Sequence, residues 1–155
     1  MVRHLKLVGP GATRQDERPR WRMERPAPPE RVLLAEDDPE LRRIFATALR
    51  RAGYRVVEAR DGGEVIDHIA PGRWNPDDEG FAALVADVRM PRLSGLDVLA
   101  ALRFTRWATP VILVSAYCDQ ETRAEAEELG AAVLLEKPVP LDRLVFTVRR
   151  AAARQ

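Results

Sequence analysis

A single aspartate, Asp87, ends an apolar run that is short enough to be a β-strand, and a proline-marked loop follows it. The run at residues 83–86 is apolar at every position, which is typical of a strand buried on both faces of a parallel sheet. In such sheets, ligands bind beyond the carboxyl ends of the strands, where Asp87 would lie. An aspartate there can also simply start a turn. The interpretation of Asp87 therefore depends on which other residues share its edge of the sheet.

Three other apolar runs end in residues that can do chemistry. These residues are Glu36 and Asp37 after the first run, Ser115 in the fourth and Lys137 after the fifth. Parallel strands place their carboxyl ends along one edge, so three carboxylates, one hydroxyl and one ammonium group would share a crevice. Charges in a crevice are paired or bind an ion. Clustered carboxylates with room for water suit Mg²⁺.

Lys137 is unusual in this composition. The chain contains 23 arginines and two lysines, and Lys137 is the only lysine after residue 30. A lysine supplies a compact, steerable point charge, as is needed at a phosphate. The alternative is a chance surface lysine beside Glu136, but the position at a strand end favours a role in the crevice.

Five apolar runs alternate with five helical patterns after residue 30. The runs lie at residues 32–35, 54–59, 83–87, 111–115 and 132–135. Residues that favour helix N-termini precede four of the helical patterns: Asp38 before Pro39, Asp61, Ser94 and Asp119. The first helix carries an apolar stripe that would face the sheet: Leu41, Ile44, Phe45, Ala48 and Leu49. Five strand–helix pairs predict an α/β fold with one doubly wound parallel sheet.

Composition divides the 155 residues into a tail and one domain. Residues 1–30 are rich in proline and arginine and are expected to be a disordered tail, and residues 31–155 are expected to form the domain. The tail carries a charge of +3, so the domain carries −2 of the total of +1, and a general nucleic-acid-binding face is not expected. The single cysteine, Cys118, indicates a reducing compartment, the cytoplasm. No apolar stretch approaches the roughly 20 residues of a membrane span.

The ordered motifs of residues 31–152 resemble the receiver domains of bacterial two-component response regulators. The motifs are Glu36-Asp37-Asp38, Asp87-Val88-Arg89-Met90-Pro91 followed by Ser94-Gly95-Leu96, Ser115-Ala116 and Lys137-Pro138. Each motif is weak alone, but their order at successive strand ends is specific. The resemblance implies a flavodoxin-like (βα)5 fold with a five-stranded sheet in the order 2-1-3-4-5.

The resemblance also implies a phosphotransfer switch. Asp87 would be the phosphoacceptor, a carboxylate nucleophile that attacks the phosphohistidine of a sensor kinase. The ligands of Mg²⁺, directly or through water, would be Glu36, Asp37, Asp87 and the backbone carbonyl of Arg89. Lys137 would neutralise the phosphoryl group from the other side, and Ser115 would be the hydroxyl that moves towards it. The family's Lys–Pro bond is typically cis, and helix position assigns Asp38 to the N-cap.

Three positions depart from the family pattern. The family's aromatic switch residue on strand five falls at Leu134, and Tyr117 is expected to substitute for it in part or to shield the site. Arg89 could pair with Glu36 when metal is absent, or could screen the acyl phosphate from water. We expect Arg89 and Tyr117 together to set the lifetime of the phosphorylated state.

The expected partners are proteins. They are a sensor histidine kinase or phosphotransfer protein and an unknown downstream protein, with no direct contact to nucleic acid or membrane. Because no output module follows the last helix, we expect a stand-alone receiver that signals, and can form homodimers, through helix 4, strand 5 and helix 5. It would not be an enzyme beyond its self-catalysed phosphotransfer and autodephosphorylation.

Three alternatives to a phosphorylated receiver remain at the level of sequence. A receiver-like interaction module could work without phosphorylation. A hydrolase with an aspartyl-phosphate intermediate would need a second acid two residues after Asp87, where Arg89 stands. A flavin-binding module would need a Ser/Thr/Gly-rich phosphate loop after the first strand, where the acids lie instead.

Overall fold

Five parallel strands form one sheet in the computed structural model, which describes residues 29–70, 80–105 and 107–154. The elements in chain order are β1 (Arg31–Ala35), α1 (Pro39–Arg51), β2 (Arg55–Ala59), α2 (Gly62–Ile69), β3 (Phe81–Asp87), α3 (Gly95–Phe104), β4 (Val111–Ser115), α4 (Gln120–Glu128), β5 (Val133–Glu136) and α5 (Leu141–Ala152). The sheet order is β2-β1-β3-β4-β5. This confirms the predicted doubly wound (βα)5 fold. The predicted tail lies outside the described residues, except for its last two.

The strands bury side chains on both faces, as their continuous apolar runs predict. Successive side chains of a strand point to opposite faces. Along β1, Val32 and Leu34 therefore pack with α1 and α5, whereas Leu33 and Ala35 pack with α2 and α3. The sheet is thus a rigid, buried layer, and its carboxyl edge can hold polar groups at fixed positions.

Side-chain caps fix where the helices begin. The carboxylate of Asp38 accepts hydrogen bonds from the backbone N–H groups of Glu40 (2.8 Å) and Leu41 (2.9 Å), and Pro39 follows it. The hydrogen bonds from these N–H groups lower the pKa of Asp38, and the one from Leu41 contributes most. The predicted assignment of Asp38 to the N-cap is confirmed. Its carboxylate is therefore engaged in capping α1, and Glu36 and Asp37 remain for the edge of the sheet.

The predicted inner stripe of α1 is wrong at one position. Ile44 is 41% exposed, whereas Ala46, which lies outside the predicted stripe, is fully buried. Each residue turns the helix by about 100°, so Ile44 lies about 150° from the centre of a buried face between Phe45 and Ala46, outside that face. Ile44 lines a surface groove there with Leu141 and Val145 of α5.

Candidate functional site

The predicted lysine lies between two of the predicted acids at the carboxyl edge of the sheet. The Nζ atom of Lys137 is 2.5 Å from Oδ2 of Asp87 and 3.0 Å from Oε2 of Glu36. Glu36 and Asp87 are only 1% and 6% exposed. The Lys137–Pro138 peptide bond is cis, as the resemblance implies. One ammonium group thus bridges buried carboxylates that follow β1 and end β3.

Burial and charge shift the protonation of this cluster. Burial raises the pKa of Glu36 to about 7, since the nearby charge of Asp87 adds to it and the hydrogen bond from Lys137 offsets it only in part. Burial alone would lower the pKa of Lys137, but its bonds to Asp87 and Glu36 outweigh burial and raise it. The lysine therefore stays charged, and one positive charge does not balance the acids around it.

The acids fit a divalent cation. Glu36, Asp37 and Asp87 each offer a carboxylate oxygen, and these oxygens all lie within 4.8 Å of one another. Asp37 is exposed, so this side of the cluster is open to water. Hard oxygen ligands with an open, hydrated side suit Mg²⁺. The donor set therefore fits the predicted metal, whose fourth predicted ligand, the carbonyl of Arg89, lies on the loop after β3.

Backbone contacts hold Asp87 in place. The N–H group of Arg89 donates to Oδ1 of Asp87 over 2.8 Å. On the other side, Gly95 begins α3 directly against the backbone carbonyl of Asp87, and a Cβ atom at Gly95 would overlap it. Only glycine allows this close approach. The Ser94-Gly95 part of the motif thus determines how closely α3 packs against the end of β3.

Ser115 is buried at the end of β4, and its hydroxyl is engaged with the loop that follows. The hydroxyl donates to the backbone carbonyl of Tyr117 over 2.9 Å and accepts from its N–H group over 3.1 Å. β4 pairs directly with β3, and Val114 is in register with Asp87. The hydroxyl is therefore one residue beyond the register partner of Asp87 and is committed to Tyr117.

The side chain of Arg89 contacts Tyr117 rather than the acids of the cluster. Its guanidinium carbon lies 4.6 Å from the centroid of the exposed Tyr117 ring, within the range of a cation–π interaction. Glu36, which the sequence offered as a partner for Arg89, is paired with Lys137 instead. Arg89 and Tyr117, which are predicted to act together, are thus in direct contact and join the loop after β3 to the loop after β4. Leu134, at the predicted aromatic position, is half-buried against the core.

Arg42 of α1 contacts this site, although it is not among the predicted site residues. Its Nη1 atom donates to the backbone carbonyl of Glu36 over 2.7 Å and lies 3.5 Å from that of Asp37. Side chains in the first turn of a helix lean towards its N-terminus. An arginine there, directly after an acid-bearing loop, was the signal that could have revealed this contact.

Comparisons with known proteins agree with this fold. The family model of the response regulator receiver domain matches residues 32–149. The response regulator MprA of Mycolicibacterium vanbaalenii is 37% identical over 121 residues, which cover 78% of this chain and 49% of MprA. The regulatory protein AtoC of Escherichia coli is 34% identical over 121 residues, which cover 78% of this chain and 25% of AtoC. The receiver domain of the Francisella response regulator 1452 has a TM-score of 0.72 at 30% identity and is matched over 81% of this chain and 98% of its own.

A parallel five-stranded sheet with an acid and lysine cluster at its carboxyl edge defines a receiver domain of two-component signalling. The chain belongs to the response regulator receiver domain family. It spans about half the length of MprA and a quarter of AtoC, so the similarity concerns only part of each of those proteins. Within the described ranges, no helix combines the length and the apolar character that crossing a bilayer requires.

Proposed function

We propose that the chain is a phosphorylation-dependent receiver that accepts a phosphoryl group on Asp87 in the presence of Mg²⁺. The donor is a sensor histidine kinase or a phosphotransfer protein of the cytoplasm, and the output is a contact with another protein. Residues 31–155 form the receiver, and residues 1–30 are a tail. The observation that carries the proposal is the Lys137 bridge between Asp87 and Glu36, beside Asp37. Labelling by acetyl phosphate and Mg²⁺ tests it: wild type gains one phosphoryl group and Asp87→Asn gains none.

Asp87 is prepared to act as the nucleophile. An oxygen of its carboxylate forms the bond to phosphorus while the bond from phosphorus to the donor histidine breaks, and the imidazole leaves with that electron pair. Lys137 already lies at the carboxylate, so its charge can pass to the phosphoryl oxygens without a large movement. Mg²⁺, when bound by Glu36, Asp37, Asp87 and the carbonyl of Arg89, supplies the remaining neutralisation of charge.

Ser115 links the phosphoryl group to the surface. When its hydroxyl turns towards a phosphoryl oxygen on Asp87, it gives up both hydrogen bonds to the backbone of Tyr117. Both α4 and the loop that joins β4 to α4 are then free to shift. Ala126 is the residue that α4 buries, so the rest of the protein holds this helix loosely. The surface of α4, β5 and α5 is therefore the proposed output and dimer surface.

The proposed docking site for the donor is the groove between α1 and α5. The exposed apolar residues Ile44 and Leu141 lie in this groove, which continues to Lys137 and Pro138 beside the site. A donor histidine must come close to Asp87, and an apolar helix surface beside the site allows a helical partner to dock there.

We expect Ile44→Asp to slow transfer from a phosphorylated kinase by about tenfold, because a charge in the apolar contact costs roughly 1–2 kcal/mol of docking energy. The rate is measured with the kinase that labels wild type fastest in a panel. Labelling by acetyl phosphate should stay unchanged, since it needs no docking. Phe104→Asp, at an exposed apolar residue on α3, is the matched control. Equal transfer rates for Ile44→Asp and wild type would refute this docking site.

We expect the contact between Arg89 and Tyr117 to slow hydrolysis of the phosphorylated state. Arg89 follows β3 and Tyr117 follows β4, so their contact joins the two loops next to Asp87 and Ser115, and we expect it to limit the approach of water. Arg89→Asn and Tyr117→Ala should each shorten the lifetime several-fold, and the double variant should be little faster than either, because each change removes the same contact. The measurement is the loss of phosphate over time from purified, labelled protein. Unchanged lifetimes in both single variants would contradict the idea.

A further inference from the structure

Arg42 joins three parts of the molecule beside the acidic cluster. Its guanidinium donates to the backbone carbonyl of Glu36 over 2.7 Å, and its Nε atom lies 3.5 Å from a carboxylate oxygen of Glu58 on β2. The side chain is 14% exposed. Arg50 of α1 also holds Glu58, over 2.7 Å. The guanidinium is therefore fixed from two sides and presents its remaining donors to the loop after β1.

The two carbonyl groups that face Arg42 flank one acid. The carbonyls of Glu36 and Asp37 belong to the peptide groups before and after the Cα atom of Asp37. The contact to Glu36 is strong at 2.7 Å, and that to Asp37 is weaker at 3.5 Å. Because peptide groups are planar, holding both of them restricts φ and ψ of Asp37 and so the direction of its side chain.

Among the residues that the structure describes, other contacts hold Glu36 but none besides Arg42 holds Asp37. The N–H group of Glu36 donates to the carbonyl of Ala59 over 3.2 Å, and its carboxylate pairs with Lys137. Asp37 is exposed, and its carboxylate is the acid of the cluster nearest to solvent. The position of Asp37 thus depends on its backbone, and Arg42 holds that backbone.

We propose that Arg42 is a positioning residue for the cation site, which it organises by fixing the backbone around Asp37 while Glu58 orients its guanidinium. The inference rests on the Mg²⁺ site of the proposed function. Residues that orient metal ligands without touching the metal typically contribute about 10–100-fold to metal affinity. Arg42 belongs to this class, although it acts on the backbone rather than on the carboxylate.

Charge and geometry predict opposite results when Arg42 is removed. Loss of a cation beside three carboxylates would by itself tighten the binding of Mg²⁺. Loss of the contacts to the loop would weaken it, because Asp37 must then be ordered when the metal binds. The sign of the change in affinity therefore separates a positioning role from a purely electrostatic one.

The test is calorimetric titration of the unphosphorylated full chain with magnesium chloride. We expect Arg42→Gln to raise the Kd about tenfold. Arg42→Lys should lie between it and wild type, because it keeps the charge but lacks the separate Nη1 and Nε atoms with which the guanidinium contacts the loop carbonyl and Glu58. Glu58→Gln should raise the Kd by less, and the double variant Arg42→Gln/Glu58→Gln should bind no more weakly than Arg42→Gln alone. Arg55→Gln, the same change at an exposed residue near the opposite end of β2, should leave the Kd unchanged.

The outcomes separate the inference from the proposed function. Asp37→Asn gives the baseline of a damaged site, and circular dichroism shows whether each variant is folded. If wild type binds Mg²⁺ and folded Arg42→Gln binds it equally well or more tightly, the inference is overturned and the proposed function stands. If Arg42→Gln does not fold, the Kd values of Arg42→Lys and Glu58→Gln for Mg²⁺ are used instead. Binding by both that is equal to or tighter than that of wild type then overturns the inference. If wild type binds no Mg²⁺, both the proposed function and the inference fail.

Discussion

Lys137→Met is expected to slow phosphorylation by acetyl phosphate about 100-fold, because it removes the one ammonium group that bridges Asp87 and Glu36. Phosphoryl transfer adds negative charge to a site that already holds three carboxylates. In the protein without Lys137, that charge is opposed by the metal alone. The measurement is the rate at which the phosphorylated form accumulates at saturating Mg²⁺.

The same variant should bind Mg²⁺ more tightly, not more weakly. The ammonium group repels the metal and competes for the same carboxylate oxygens, so its loss favours metal binding while it disfavours phosphoryl transfer. Lys137→Arg is the matched control, since it keeps the charge and changes the shape, and its rate should be intermediate. A labelling rate of Lys137→Met within twofold of wild type would contradict the role given to this lysine.

The stability of the metal-free protein is expected to fall as the pH rises from 5 to 8. The pKa of Glu36 is about 7 in the folded protein, because of burial, and 4.5 without that environment. A group whose pKa is raised by folding stabilises the fold fully below its unfolded pKa, and this contribution is lost as the pH rises through the folded pKa. The raised pKa of Lys137 keeps it charged throughout this range. The loss is at most about 3 kcal/mol for a shift of this size.

Urea unfolding at several pH values in the presence of a chelator measures this dependence. Glu36→Gln cannot ionise and should flatten the curve between pH 5 and 8. Saturating Mg²⁺ should also reduce the loss at high pH, since the metal binds the ionised carboxylates and stabilises the folded state. The quantity to compare is the free energy of unfolding of metal-free wild type minus that of Glu36→Gln. If this difference is the same at pH 8 as at pH 6, Glu36 ionises normally and the prediction is wrong.

Topology explains why the cluster could be predicted from the sequence. Continuous apolar runs identify parallel strands, and parallel strands bring the residues at their carboxyl ends to one edge. That rule alone places Glu36, Asp87 and Lys137 together, although 101 positions separate the first from the last. The capping role of Asp38 was equally predictable, because an acid before a proline is a local signal.

The contacts that were not predicted involve long side chains and helix borders. Arg42 reaches the loop after β1, and Arg89 stacks on Tyr117 instead of pairing with Glu36. A guanidinium group on a flexible stem can reach several partners, and periodicity does not choose among them. Ile44 was misplaced because the face that α1 buries is rotated towards Ala46 relative to the stripe of five apolar residues.

The most direct test of the account is the intact mass of the full chain after incubation with Mg²⁺ and acetyl phosphate. Wild type should gain a single phosphoryl group, which is absent when Mg²⁺ is chelated and absent in Asp87→Asn. The same samples should then be incubated with phosphorylated sensor kinases, which phosphorylate the receiver if a small phosphodonor does not. Addition at Asp87 that needs Mg²⁺ is the result that the account predicts. Absence of any adduct from both kinds of donor, or an adduct of equal yield in Asp87→Asn, would contradict it.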